Sequence, residues 1–122
     1  MEKVVLGNSI DIQDEQIEEL LGQLNRDTKL KHLELSFDLS GVDPDILVRG
    51  VNHLEKVSLI GAKLTKKQIE KILSQTLKSS KLKYLDISKN KNLEQFVNMV
   101  ADVKKKVPVI IAKIYDPSLR LF

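Results

Sequence analysis

The sequence predicts an α/β fold in which short strands alternate with helices along a single domain. Three observations carry that expectation. A strand-like motif recurs three times, helix-period stripes of apolar residues lie between its copies, and strands and helices keep one common spacing. The chain has 122 residues, of which 42% are apolar and 30% charged, the size and composition of one domain with a real core.

Val4, Val5 and Leu6 form a first strand-like run. Ile17, Leu20, Leu21 and Leu24 then fall at i, i+3, i+4 and i+7, one apolar stripe of a helix. The recurring strand motif follows as Leu30-Lys-His-Leu33-Glu-Leu35, Leu54-Glu-Lys-Val57-Ser-Leu59 and Leu82-Lys-Tyr-Leu85-Asp-Ile87, with first leucines 24 and 28 residues apart. Alternation at the end of each copy puts two apolar side chains on one face, as a half-buried strand requires.

The helices between them carry their own start signals. Asp43-Pro44-Asp45 reads as a cap, a proline at the first helical position and an early acid, opening a short helix to about Arg49 that ends near Gly50. Thr65-Lys-Lys-Gln68 is a capping box ahead of the stripe Ile69, Ile72, Leu73 and Leu77. Asn92-Leu-Glu-Gln95 has related chemistry ahead of a fourth stripe, Phe96, Val97, Val100 and Val103. Ile17, Leu20 and Leu21 precede Ile69, Ile72 and Leu73 by 52 residues, and Val97 and Val100 follow Ile69 and Ile72 by 28. Val107 to Tyr115 reads as a final strand with Pro108 near its start, where no ladder amide is needed.

Leu82-Lys-Tyr-Leu85-Asp-Ile87-Ser-Lys-Asn90 resembles the L-x-x-L-x-L-x-x-N motif of the leucine-rich repeat. Repeats of 24 to 28 residues with a full helix look like the ribonuclease-inhibitor subclass, and the resemblance spans nearly the whole chain. It implies a short right-handed solenoid with parallel strands on the concave face and helices on the convex face. About four repeats are expected, at roughly 3–30, 31–54, 55–82 and 83–110, followed by a C-terminal strand and cap over 111–122. Leu119, Leu121 and Phe122 are candidates to fold back over the last core layer. The chain departs from the motif at two places, because Asp38 and Ala62 stand where Asn90 supplies the asparagine. In such repeats that asparagine bonds the backbone of neighbouring loops, so a less regular edge is expected.

Residues flanking the inward strand positions should point out of the sheet. That face carries His32, Glu34 and Ser36, then Lys56, Ser58 and Ile60, then Tyr84, Asp86 and Ser88. Val5 and Gly7 extend it at one edge, and Lys113 and Tyr115 at the other. The resemblance implies a binding use for this surface. The expected function is a non-enzymatic protein-interaction module or scaffold whose protein partner meets His32, Glu34, Ser36, Lys56, Ser58, Tyr84, Asp86 and Ser88.

Charge opens an alternative. Residues 1–61 hold 6 Lys or Arg against 12 Asp or Glu, a net of −6, whereas residues 62–122 hold 14 against 5, a net of +9. Such a polar molecule suits self-association through opposite-charge ends, or a structural and regulatory segment of a larger repeat protein using its charged helices or solenoid ends. The Lys-rich second half also suits weak, non-specific anion or nucleic-acid binding. Against nucleic acid stand only three arginines and no aromatic residues among the lysines, so base readout and stacking have little to use.

Other classes find no support. There is no phosphate-loop, dinucleotide or nucleophile-elbow motif, and His32 and His53 occupy different registers, so an enzyme and a bound cofactor are not expected. Neither a Cys-based nor a His–carboxylate metal site is present in the sequence. No apolar run reaches the roughly 18 to 20 residues of a membrane helix, and the opening run breaks at Asn8 too early for a signal peptide. With no cysteine, a reducing cytoplasm is the expected location.

Overall fold

The computed structural model describes residues 3–7, 12–26, 29–78 and 81–112. Its elements run β1 (Lys3–Leu6), α1 (Asp14–Arg26), β2 (His32–Leu35), α2 (Pro44–Val51), β3 (Lys56–Ser58), α3 (Lys66–Lys78) and β4 (Tyr84–Asp86). A 3-10 turn (Leu93–Phe96), α4 (Val97–Lys104) and β5 (Val109–Ile111) complete them. The five strands form one sheet in sequence order, every neighbouring pair parallel. Leu33 aligns with Val57, and Val57 with Leu85, so the three copies of the strand motif lie side by side in register.

That register decides the core. Leu33, Leu35, Val57, Leu59, Leu85 and Ile87 are all fully buried, and they share one apolar cluster with Ile17, Leu21, Leu47, Ile69, Ile72 and Leu73 from the helices. The helices therefore cover one face of the sheet. Each packs on its successor: α1 on α2, α2 on α3, and α3 on α4.

Local chemistry sets the helix ends. Asp43 caps α2, its carboxylate accepting the Asp45 amide at 2.8 Å, with Pro44 at the first position. Ahead of α3, the Thr65 hydroxyl accepts the Gln68 amide at 3.1 Å and Gln68 Oε1 accepts the Thr65 amide at 2.9 Å. α2 ends at Val51, beside the expected stop near Gly50, and Gly50 lies buried in its last turn, where an added Cβ would stand 3.0 Å from Leu21 Cδ2 and 3.1 Å from Leu21 Cβ. Its missing side chain is what lets α1 and α2 approach.

The start of the fourth helix also differs from expectation. Asn92 takes a left-handed φ of 70° and makes no side-chain cap, and the chain winds first as a 3-10 turn. The stripe that faces inward is Phe96, Met99, Val100 and Val103, whereas Val97 is 54% exposed. One residue past Phe96 on a helix is about 100° round the axis, so Val97 leaves the stripe that the 28-residue spacing assigned to it.

Two side chains tie successive loops together. Asn90 accepts the Leu64 amide at 2.9 Å and donates to the carbonyls of Leu59 and Ile87, at 2.9 and 2.8 Å. One loop back, Gln68 donates to the carbonyls of Leu39 and Val42 at 2.7 and 2.8 Å. Asp38 stays within its own turn, accepting the amide and hydroxyl of Ser40, and Ala62 offers only its backbone carbonyl, to the Leu39 amide. Lys113, Tyr115 and the proposed cap residues Leu119, Leu121 and Phe122 lie outside the described residues. Among the described residues no helix is long and apolar enough to cross a membrane.

Candidate functional site

The sheet face turned away from the helices is built from the alternate residues of each strand. Cross-strand register arranges them in rows. Lys3, His32, Lys56, Tyr84 and Val109 form one row, and Val5, Glu34, Ser58, Asp86 and Ile111 the next. Two exposed valines therefore flank this face at opposite edges, Val5 on β1 and Val109 on β5. Sequence reasoning found Val5 but missed Val109 and Ile111, although both share the alternation that singled out Lys113 and Tyr115.

The first row is held by polar and cation–π contacts. His32 Nε2 lies 3.1 Å from Glu34 Oε1, two residues along the same strand and on the same face. One strand over, Lys56 Nζ sits 4.6 Å from the centroid of the Tyr84 ring, its neighbour in register. Such a contact keeps the ammonium over the ring while the tyrosine edge stays available. These four side chains are half-buried, each partly open to solvent.

Ser58, Asp86 and Ser88 share the face but are not exposed, at 7%, 6% and 4%. Pointing out of the sheet does not make these three accessible to water. Ser58 is flanked in register by the longer side chains of Glu34 and Asp86, so it lies low on the sheet, where water reaches it poorly. Asp86 Oδ1 accepts the Ser88 amide at 2.9 Å, so its carboxylate shapes the end of β4. Ser36 is half-buried and its hydroxyl donates to the Leu6 carbonyl at 3.4 Å. A depression of about 240 Å³ opens between Val5, Glu34, Ser36, Ser58 and Ile60, with apolar and acidic walls.

The face carries Tyr84, the Glu34 carboxylate with the His32 ring beside it, the Lys56 ammonium, the buried Asp86 and an exposed valine at each edge. His53 lies elsewhere, on the turn after α2, with both ring nitrogens enclosed and without a hydrogen-bond partner. Among the described residues no three His, Asp or Glu side chains gather where they could hold a metal ion. No protein-family model matches the chain, and neither a curated protein nor a solved structure shows significant similarity to it.

Proposed function

We propose that this chain is a short solenoid of the leucine-rich-repeat type acting as a cytoplasmic, non-enzymatic protein-interaction module. A protein partner would be met on the open sheet face. The observation that carries the reading is the row His32, Lys56 and Tyr84 beside Glu34, in one parallel register and rimmed by exposed Val5 and Val109. Tyrosine anchors interfaces with large area and few rotors to freeze, and apolar rim positions add desolvation. The in-step strands, and the asparagine at position 90 clamping the preceding loop, support the repeat assignment.

Affinity capture from a nuclease-treated lysate tests it, comparing wild type with Glu34→Lys/Tyr84→Ala. Both substitutions fall on half-exposed side chains, so the variant should fold, which circular dichroism verifies. A protein retained by wild type and by a helix-face control, Lys78→Gln/Lys104→Gln, but lost by the sheet variant is the expected result. Equal capture by all three would overturn the use of this face.

A further inference from the structure

A second concavity lies away from the sheet face, between the loops that leave β3 and β4. It measures about 630 Å³, and its walls include Gly61, Lys63, Thr65 and Lys66 from one loop and Lys89 and Lys91 from the next. The two loops are clamped side by side: the Gly61 amide donates to the Ser88 carbonyl at 2.9 Å, and Asn90 accepts the Leu64 amide. The lysines are thus carried on backbone that the fold holds in place rather than on a free tail.

Four lysines line one opening, and like charges gathered there repel one another unless something negative sits among them. The protein supplies little. Lys71 pairs with Asp45, Lys83 with Glu55 and Lys105 with Asp102, whereas none of these four pairs with a carboxylate among the described residues. Asp38 feels the charge of Lys63, yet no ion pair joins them and Asp38 does not line the opening. Lys66 also begins the 13-residue helix α3, whose N-terminal end adds positive potential. Lys63 and Lys89 hold φ of 55° and 60°, a region where side chains are rare and glycine is favoured.

The opening's chemistry narrows the ligand. No aromatic side chain lines it, so a nucleic-acid base has nothing to stack on. Lysine acts as a compact point charge suited to phosphate oxygens in any orientation. The volume falls within the range of small-molecule pockets. We propose that this concavity binds a soluble small molecule carrying two or more phosphate groups, held by Lys63, Lys66, Lys89 and Lys91.

The test is calorimetric titration of the full chain with inorganic tripolyphosphate at about 0.1 M salt, where exposed charges more than about 10 Å apart are screened. Lys63→Gly/Lys89→Gly removes two charges at positions whose backbone suits glycine, and Lys66→Gln/Lys91→Gln removes the other two without touching φ. The control, Lys78→Gln/Lys104→Gln, removes the same charge elsewhere. Saturable one-to-one binding is expected, weakened about tenfold or more by either loop variant and within about twofold of wild type in the control, as lost charge-assisted bonds imply. An absence of saturable binding at millimolar tripolyphosphate would overturn the proposal. So would equal weakening in the control, which would reduce the effect to net charge.

Discussion

Gln68 and Leu39 are 29 residues apart in sequence, yet the Gln68 side-chain amide donates to the Leu39 carbonyl at 2.7 Å inside the protein. The same nitrogen reaches the Val42 carbonyl, while the oxygen of that carboxamide accepts the Thr65 amide and completes the cap of α3. Gln68 is only 1% exposed, so a residue that reads as a helix cap also fastens the preceding loop.

Removing that side chain should therefore cost more than removing a cap. Thr65→Ala should lose about 1 kcal/mol, the usual worth of an N-cap. Gln68→Ala should lose about 2 to 4 kcal/mol, because it also takes the side-chain donor from the enclosed Val42 carbonyl and one of two donors from the Leu39 carbonyl. Urea denaturation of both variants checks the difference; equal losses would show that the loop bonds contribute nothing.

The two faces of the strands should respond oppositely to truncation. Leu35→Ala and Leu85→Ala remove fully buried side chains, and each should cost about 2 to 5 kcal/mol. Glu34→Ala should stay within about 0.5 kcal/mol, since its carboxylate is half-exposed. Asp86→Ala belongs with neither: it leaves the enclosed Ser88 amide without its acceptor, a loss of about 1 to 3 kcal/mol. Thermal melts that ranked Glu34→Ala as the costliest of the four would contradict the strand phase.

Gly50→Ala sets helix propensity against packing. Alanine is worth about 1 kcal/mol over glycine inside a helix. The new methyl, however, would meet Leu21 Cβ at 3.1 Å, an atom fixed to the α1 backbone that cannot swing aside. Net destabilisation of about 1 to 2 kcal/mol is expected, as for overpacked cores. A more stable variant in chemical denaturation would show that α1 can retreat at little cost.

The Asp38 carboxyl should titrate below its ordinary value of 3.8, chiefly because the Ser40 hydroxyl and amide donate to the carboxylate, with Lys63 adding attraction. A depressed folded value stabilises the protein above the ordinary Asp range, and that contribution disappears as pH falls through the folded value. Asp38→Asn should make the acid-side fall in melting temperature shallower. Carbon-detected NMR titration of Asp38 reads the shift directly, and Ser40→Ala should move it back towards the ordinary value. A wild-type Asp38 that titrates at or above that value would contradict the turn geometry.

Much of the architecture is legible in the residues alone, and the reason is periodicity. The alternation through Leu33–Leu35, Val57–Leu59 and Leu85–Ile87 reports which side chains of each strand turn inward, and all six do. The Asp43–Pro44 and Thr65–Gln68 signals act over three residues or fewer, so they too survive unchanged in the fold. The fourth helix is where local reading failed. Phe96, Val97, Val100 and Val103 fit a spaced pattern, but the 3-10 turn before them and the neighbouring Met99 decide which residues meet α3.

The candidate sheet site was legible as a set of outward positions but not as a surface. Alternation places Ser58 and Asp86 on one face with Glu34 and Tyr84, and the register agrees; the closure of Ser58 depends on the longer Glu34 and Asp86 beside it across the sheet. The lysine-lined opening is further from reach, since Lys63 and Lys89 become neighbours only when Asn90 draws two loops together.

By itself the sequence determined the alternation of strands and helices, the inward phase of each strand and the caps of α2 and α3, because these follow from spacing along a single element. Only the tertiary structure decided that Gly50 admits Leu21, that Gln68 serves two loops, and which polar residues of the sheet remain open to solvent. Those outcomes depend on contacts between elements tens of residues apart, and the period of one element carries no information about the shape of the one packed against it.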